Sequence, residues 1–149
     1  MKSVEPGVVD ANILVYALDL DAPQHTASRA LLNAARDPAN NLFVTSQILA
    51  EFYSIVTNRR RVAVARNSIE ALRALSDLLA YPGIHVLPSP ARVAIGWMEL
   101  VERHPVTGGA VCDLQLVATM KSNNIGRIYT YNTEDFDVFT ELTVLTPNS

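Results

Sequence analysis

Four acidic side chains occupy positions from which carboxylates could do metal-assisted chemistry. Asp10 ends a short run of branched residues, Glu51 falls beside the apolar positions of a predicted helix, Asp113 opens another helix, and Asp135 follows a late strand. Clustered carboxylates raise one another's pKa unless cations compensate their charge. Their hard oxygen atoms suit Mg²⁺ or Mn²⁺ rather than zinc. If the fold brings these acids together, they could hold a metal site that activates water for displacement at phosphorus.

Asp10 admits two interpretations. Val8 and Val9 predict the end of a buried strand, which would place Asp10 at the carboxyl edge of a parallel sheet, where ligands gather. Alternatively, Asp10 caps the helix that starts near Ala11, a position that aspartate favours. This stretch alone does not separate the two interpretations, so the other acids have to decide between them.

The other acids lie near apolar helix faces. Glu51 follows Ile48 by three residues and precedes Ile55 by four, so helical spacing puts it on or beside an apolar stripe. A glutamate rarely accepts such a position unpaired. Glu51 is therefore either salt-bridged, for example to an arginine, or directed at an internal polar site, and we favour the internal site. Asp113 shares its helix face with three apolar residues, Leu116, Val117 and Met120.

Strands and helices alternate along the chain. This order predicts an α/β fold: a single domain, 1–149, with a mainly parallel central sheet of four to five strands between helical layers. The strands are expected at 8–9, 42–44, 84–87, 127–131 and 142–145. The helices are expected from 11, from 21, and at 46–58, 67–79, 91–102 and 110–123, with Asp21, Ser46 and Asn67 as N-caps.

Composition limits the remaining classes. The 149 residues include one cysteine, Cys112, so neither an internal disulfide nor a cysteine-rich zinc site can form. No apolar run approaches the ~18 residues of a membrane span and no signal peptide is visible, so we expect a soluble cytoplasmic protein. The net charge of −3, taken alone, argues against a nucleic-acid partner. If four of the carboxylates cluster, however, the rest of the chain carries a net charge of +1. Cations bound by the cluster would then make the local charge positive.

A basic run follows the third predicted helix. Arg59, Arg60 and Arg61 are consecutive. Arginines after a helix commonly complement its dipole, but three in a row also suit phosphate contact. Both interpretations stay open from the residues alone.

Four motifs in this order and spacing resemble the PIN-domain family, and within it the VapC-type toxins of bacterial and archaeal toxin–antitoxin pairs. The motifs are VVDAN at 8–12, SQILAEF at 46–52, CDLQLVA at 112–118 and TYNTEDF at 130–136. The resemblance extends over nearly the whole chain. Each motif alone is weak, whereas the four together are specific.

The resemblance implies an endoribonuclease that depends on Mg²⁺ or Mn²⁺, is usually dimeric, and is bound and inhibited by a small antitoxin encoded beside it. It assigns the metal and the attacking water to four acids and an orienting role to two asparagines: Asp10, Glu51, Asp113 and Asp135, with Asn12 and Asn132. The arginines at 59–61 would contact the RNA backbone. Many relatives carry an acid near the place of Asn132, so either Asp135 alone supplies the fourth carboxylate or a second metal is weakly held. Glu134 and Asp137 are assigned to the surface.

Two other functions compete with this one. A haloacid-dehalogenase-like phosphatase also places an aspartate after its first strand, but its chemistry needs a second acid two residues later, where this chain has Asn12. The more serious alternative is a catalytically silent PIN-like domain that binds RNA or a protein. Asn132 in the last motif keeps that alternative open.

Overall fold

A five-stranded parallel sheet forms the centre of the molecule. The computed structural model describes residues 3–148; residues 1, 2 and 149 of the predicted domain lie outside them. The strands are β1 (Gly7–Val9), β2 (Leu42–Val44), β3 (Ile84–Val86), β4 (Arg127–Tyr129) and β5 (Thr143–Leu145). Their spatial order is β3-β2-β1-β4-β5, and all neighbours are parallel. The predicted α/β fold with a parallel sheet is confirmed.

Helices flank this sheet. They are α1 (Ala11–Tyr16), α2 (His25–Ala34), α3 (Ser46–Val56), α4 (Ser68–Leu79), α5 (Arg92–Arg103) and α6 (Val111–Ser122). Right-handed crossovers place α1 to α4 on one face and α5 with α6 on the other. The contacts agree, because α1 packs on α2 and α3, α3 packs on α4, and α5 packs on α6. No helix within residues 3–148 has the length and apolar character required to cross a bilayer.

The strand order reverses between β1 and β4. Val8 pairs with Ile128 and Val9 with Tyr129, and the Asp10 N–H donates to the Tyr129 carbonyl at 3.0 Å. The chain leaves β1 toward one face of the sheet and reaches β4 from the other. Such a switch point opens a crevice at the carboxyl ends of the strands, where α/β proteins place their ligands.

The core explains why β1 lies in the middle. Val8 and Val9 are fully buried, as are Leu42 and Val44 on β2 and Ile128 on β4. Branched residues without polar alternation are typical of strands that are covered on both faces. Burial on both faces fixes the position of the residue that follows β1.

Three predicted boundaries were wrong in ways that have local causes. The helix α2 begins at His25 rather than near Asp21, because the Asp19 carboxylate accepts the Asp21 N–H at 3.1 Å and holds those residues in a turn. Thr45, not Ser46, caps α3: its backbone is extended and its hydroxyl accepts the Ile48 N–H at 3.1 Å.

The third difference affects the site. The strand β4 ends at Tyr129, two residues before the predicted end. Thr130 is still tied to the sheet, since its N–H donates to the Leu145 carbonyl at 2.8 Å. Its side chain, however, lies past the last strand pair, among the polar groups at the sheet edge.

Candidate active site

Asp10 lies at the carboxyl end of β1 with only 8% of its surface exposed. Its Oδ1 accepts the Ala11 N–H at 2.8 Å, and its Oδ2 accepts the Thr130 hydroxyl at 2.8 Å. Both interpretations of Asp10 therefore hold, because the side chain caps α1 and also stands at the switch point. The two bonds fix the orientation of the carboxylate.

Asn12 joins the first helix to the loop after β4. Its Nδ2 donates to the Thr130 hydroxyl at 3.1 Å and more weakly to the Asp10 Oδ2 at 3.4 Å. Its Oδ1 accepts the Tyr131 N–H at 3.1 Å. These hydrogen bonds would allow Asn12 to orient Asp10 and the loop after β4.

Asn132 reaches this network through its backbone. The Asn132 N–H donates to the Thr130 hydroxyl at 3.0 Å, while the Asn132 side chain is exposed. The Thr130 oxygen thus accepts from Asn12 and Asn132 and donates to Asp10. Its hydroxyl therefore connects these three residues in one hydrogen-bond network. The sequence did not predict a role for Thr130.

Glu51 and Asp113 come from helices on opposite faces of the sheet. The Gln47 Nε2, one turn before Glu51 on α3, donates to the Cys112 carbonyl at the start of α6 at 2.8 Å. The Trp97 indole N–H donates to the Val111 carbonyl at 3.1 Å and ties α6 to α5. These two bonds place the first turn of α6, and with it Asp113, beside α3.

Negative charges within this group of acids raise the pKa values of three of its members, Asp10, Glu51 and Asp113. Partial burial, followed by the negative charges of Asp135, Asp10 and Glu51, raises the pKa of Asp113 to about 6. Burial raises the pKa of Asp10, opposed mainly by the Thr130 hydrogen bond, and the Asp135 charge raises it further. Partial desolvation and the Asp10 charge raise the pKa of Glu51. Each acid is therefore coupled to at least one of the others.

Two of these acids lie at the open side of the cluster. Asp135 is exposed on a 3₁₀ turn, Thr133–Asp135, that follows β4. Glu51 is also exposed. It faces a polar site, as predicted, because its pKa responds to the charge of Asp10, but this site lies at the open edge of the sheet and not in the interior. Asp113 is half-buried, and the apolar residues predicted to share its face, Leu116, Val117 and Met120, are buried.

The donor set fits a hard divalent cation by its chemistry. Carboxylates are the hard oxygen ligands that Mg²⁺ and Mn²⁺ prefer, and negative charges within this group raise the pKa values of Asp10, Glu51 and Asp113. In the described part of the chain, no three histidine, cysteine, aspartate or glutamate side chains already converge as a metal cage would require. The fit thus rests on the carboxylates and their charge, and does not rest on a preformed cage.

The arginines separate into two groups. The positive charge of Arg61 lowers the pKa of Glu51, against the effects of desolvation and Asp10, so Arg61 lies near the acids. Arg59 and Arg60 are exposed, and the Arg60 N–H donates to the Asn58 side chain at 2.9 Å within a turn. Only Arg61 of the three is coupled to the candidate active site.

The comparisons with known proteins agree with this geometry. The sequence profile of the PIN domain matches residues 7–142, a range that contains the four acids. Ribonuclease VapC43 of Mycobacterium tuberculosis and a VapC ribonuclease of Mycobacterium bovis are each 31% identical to this chain over 116 residues, which cover 78% of this chain and 79% of theirs.

Solved structures share the fold. VapC20 of Mycobacterium tuberculosis, described as a sarcin-ricin loop cleaving toxin, has a TM-score of 0.66 at 16% identity and covers 91% of this chain and 95% of that one. VapBC2 from Rickettsia felis, bound to a DNA fragment from their promoter, also scores 0.66, at 18% identity, covering 97% and 100%. Together with the profile match and the sequence identity to the mycobacterial relatives, the switch-point acids lead to one assignment: the chain belongs to the PIN-domain family and, within it, to the VapC ribonucleases.

Proposed function

We propose that this chain is a divalent-metal-dependent endoribonuclease and the toxin of a toxin–antitoxin pair. The observation that carries the proposal is the coupling of Asp10, Glu51, Asp113 and Asp135 at the switch point of the sheet. The names of the mycobacterial relatives, which are ribonucleases, support RNA as the substrate.

The four acids would hold the metal, either Mg²⁺ or Mn²⁺. A bound divalent ion supplies positive charge that offsets the carboxylates, activates water and stabilises negative charge on a phosphate. Every other contribution comes from the chain itself. Thr130 and the Ala11 N–H hold both oxygens of Asp10, and Asn12 joins α1 to the loop that follows β4.

Asp113 has the most strongly shifted pKa of these acids. In the metal-free protein its carboxyl group, with a pKa of about 6, changes protonation just below neutral pH. Below that pH the group is neutral and binds cations poorly, whereas above it the group is anionic. We therefore assign the acid limb of the activity profile to Asp113 together with Asp10, whose pKa is also raised.

The substrate would approach from the exposed side of the cluster. Arg61, whose charge affects Glu51, would attract an RNA phosphate, and Arg59 and Arg60 would extend the positive charge along the same loop. A positive loop beside an acidic centre lets a polyanion bind where four carboxylates alone would repel it.

The partners are part of the proposal. Solved relatives include VapBC-1 of Haemophilus influenzae and VapBC2 of Rickettsia felis. By analogy, we propose that a small antitoxin protein binds this chain in the cytoplasm, and that the chain forms a homodimer. None of the observations favours the alternative of a catalytically silent RNA- or protein-binding domain.

The first test is cleavage of a structured-RNA pool by purified, partner-free protein with Mg²⁺, with Mn²⁺ or with EDTA. Asp113→Asn removes one charge with little change in shape and should reduce the rate by at least roughly 10²-fold, because the remaining acids bind the cation less well. Asp137→Asn, at an exposed acid beyond the site, is the matched control and should keep the wild-type rate.

The outcomes separate the two functions. Metal-dependent products that disappear in Asp113→Asn but persist in Asp137→Asn would establish the nuclease. A folded protein that binds Mn²⁺ and yields no products from any RNA would replace it with the silent binding domain.

A further inference from the structure

Two tyrosine rings lie beside the acids. Tyr131 directly follows Thr130 in the chain, and its N–H donates to the Asn12 Oδ1 at 3.1 Å. Tyr16 follows Asn12 by four residues on α1, so helical spacing places both side chains on the same face of that helix. The two rings meet edge to face, with their centroids 5.3 Å apart and their planes at 87°. The hydrogen bonds of Asn12 thus also place this tyrosine pair next to Asp10.

The Tyr131 ring is held in one orientation. The buried Ser28 of α2 donates its hydroxyl proton to the Tyr131 hydroxyl oxygen at 3.3 Å, and the Tyr16 ring contacts Tyr131 from the side. A ring nitrogen of His25 lies 3.0 Å from the Tyr16 carbonyl oxygen and ties the end of α1 to the start of α2. Because the ring is already fixed, a ligand that binds to it loses little affinity to side-chain ordering.

Both rings are partly exposed. An edge-to-face contact uses one face of one ring, so the pair itself leaves the other faces uncovered. Tyr129, two residues earlier and on the same face of the sheet by strand spacing, makes a useful contrast. It is only 7% exposed, and its hydroxyl donates to the Glu5 carbonyl at 2.7 Å. Tyr129 therefore belongs to the core, whereas Tyr131 lies past the last strand pair with ring surface open to a ligand.

Aromatic rings beside a phosphate-binding centre suit an unpaired nucleobase. Such a base stacks on a tyrosine face, and a base within a duplex does not, because it is already stacked on its neighbours. Arg61 approaches the acids through Glu51 on α3, while the tyrosine pair adjoins Asp10 from the side of β4. An RNA strand that lies across the acids would meet positive charge at one side and aromatic surface at the other.

We propose that Tyr131 and Tyr16 form a base-stacking subsite, which holds one unpaired nucleobase next to the phosphate at the acids. Tyr131 provides the stacking face, and Tyr16 supports it from the side. The inference rests on the proposed function, because it describes a subsite of the same RNA-binding centre. The contact is made to bound RNA whether or not the reaction proceeds, so the subsite adds affinity rather than chemistry.

The experiment uses two octamers that differ by one base. One is an abasic ribose-phosphate octamer, and the other carries a single adenine at its centre. Both are titrated against folded, partner-free protein in Ca²⁺, which carboxylates bind without the strict octahedral geometry that Mg²⁺ requires, and electrophoresis checks that the octamers stay intact. The wild type should bind the adenine octamer roughly tenfold more tightly, because stacking of one base contributes that much.

Variants at the two rings separate stacking from packing. Tyr131→Leu should bind both octamers with the affinity that the wild type has for the abasic octamer. Tyr131→Phe keeps the ring and loses only the bond with Ser28, so it should retain most of the gain from the adenine. Tyr16→Leu should reduce the gain, because the supporting ring is lost. With 2-aminopurine in place of adenine, fluorescence should be quenched by the wild type and Tyr131→Phe but not by Tyr131→Leu.

Tyr81→Leu is the matched control. It removes another partly exposed tyrosine with a hydrogen-bonded hydroxyl, but Tyr81 precedes β3 and so lies toward the amino ends of the strands. This variant should bind both octamers as the wild type does.

Three outcomes would overturn the proposal. The wild type binds the two octamers equally, the gain from the adenine persists in Tyr131→Leu, or Tyr131→Leu no longer binds the abasic octamer, which would assign the ring to the fold. Because binding is measured without turnover, a failure here is distinct from a failure to cleave RNA.

Discussion

Thr130 shows how one hydroxyl can hold several groups of the candidate active site in place. It gives its single proton to Asp10 and accepts from Asn12 and from the Asn132 backbone, so all three groups take their positions from one fully buried side chain. The hydrogen bond from Thr130 also lowers the pKa of Asp10 against the larger effect of burial. We therefore expect Thr130 to be a positioning residue for the metal site.

Replacing Thr130 by valine keeps the shape and removes the hydroxyl. We expect kcat to fall about 10–100-fold, as for other groups that orient metal ligands. The acid limb of the pH profile should move to higher pH, because the pKa of Asp10 loses a lowering contribution. A merely structural role would not shift that limb. Thr130→Ser should restore both, and a valine variant with the wild-type profile would contradict this role.

The residue scale also shows the limits of sequence reasoning. The four acids stood out in the sequence because each is found at a predicted strand end or beside an apolar helix stripe. The role of Thr130 was not predictable, because a β-branched residue after Tyr129 simply continues the strand pattern. The position of the polar site that Glu51 faces was predicted wrongly, because periodicity gives the face of a helix but not what covers that face.

At the scale of elements, the site depends on how α3 meets α6. These helices lie on opposite faces of the sheet, and the Gln47–Cys112 bond is a direct polar link between them. The helices themselves were predictable from apolar spacing, and the capping box of Asn67 and Glu70 was found as expected. The hydrogen bond from Gln47 to Cys112 was not predictable, because a side-chain-to-carbonyl bond between residues 65 positions apart leaves no local pattern in the sequence.

Removing this link should loosen the site without unfolding the protein. Gln47→Ala deletes a partly exposed side chain, so the free energy of unfolding should change by only about 0.5 kcal/mol. The Mg²⁺ concentration at half-maximal activity should nevertheless rise several-fold, because Glu51 and Asp113 are held together less firmly. Metal titrations of activity, with the exposed α3 variant Ser54→Ala as the control, measure this. Equal metal dependence in both variants would show that the link is dispensable.

At the scale of the whole molecule, the sheet order places acids from distant parts of the chain at one edge. The alternation of strands and helices predicted a parallel sheet. Strands of three residues, however, do not indicate which strands pair with one another. The pairing of β1 with β4 depends on contacts between residues some 120 positions apart, and this pairing creates the switch point. The fold therefore gathers repelling charges, and part of its stability should be lost to them.

That cost can be measured at Asp113. Its pKa is raised from 3.8 to about 6 in the folded protein, so between these values the native state binds more protons than the unfolded state. The free energy of unfolding should therefore fall as the pH rises through this window. In metal-free protein at pH 7, Asp113→Asn should be more stable than the wild type by roughly 1 kcal/mol, a value reduced to allow for solvent screening of a half-exposed group.

Urea denaturation of metal-stripped protein at pH 4 and pH 7 tests the sign. The advantage of Asp113→Asn should vanish at pH 4, where the wild-type carboxyl group is also neutral. Adding Mg²⁺ at pH 7 should stabilise the wild type and reverse the order, because the variant binds the cation less well. An asparagine variant that is less stable at pH 7 without metal would mean that Asp113 supports the fold. The reversal would show instead that the fold keeps this carboxylate for the cation.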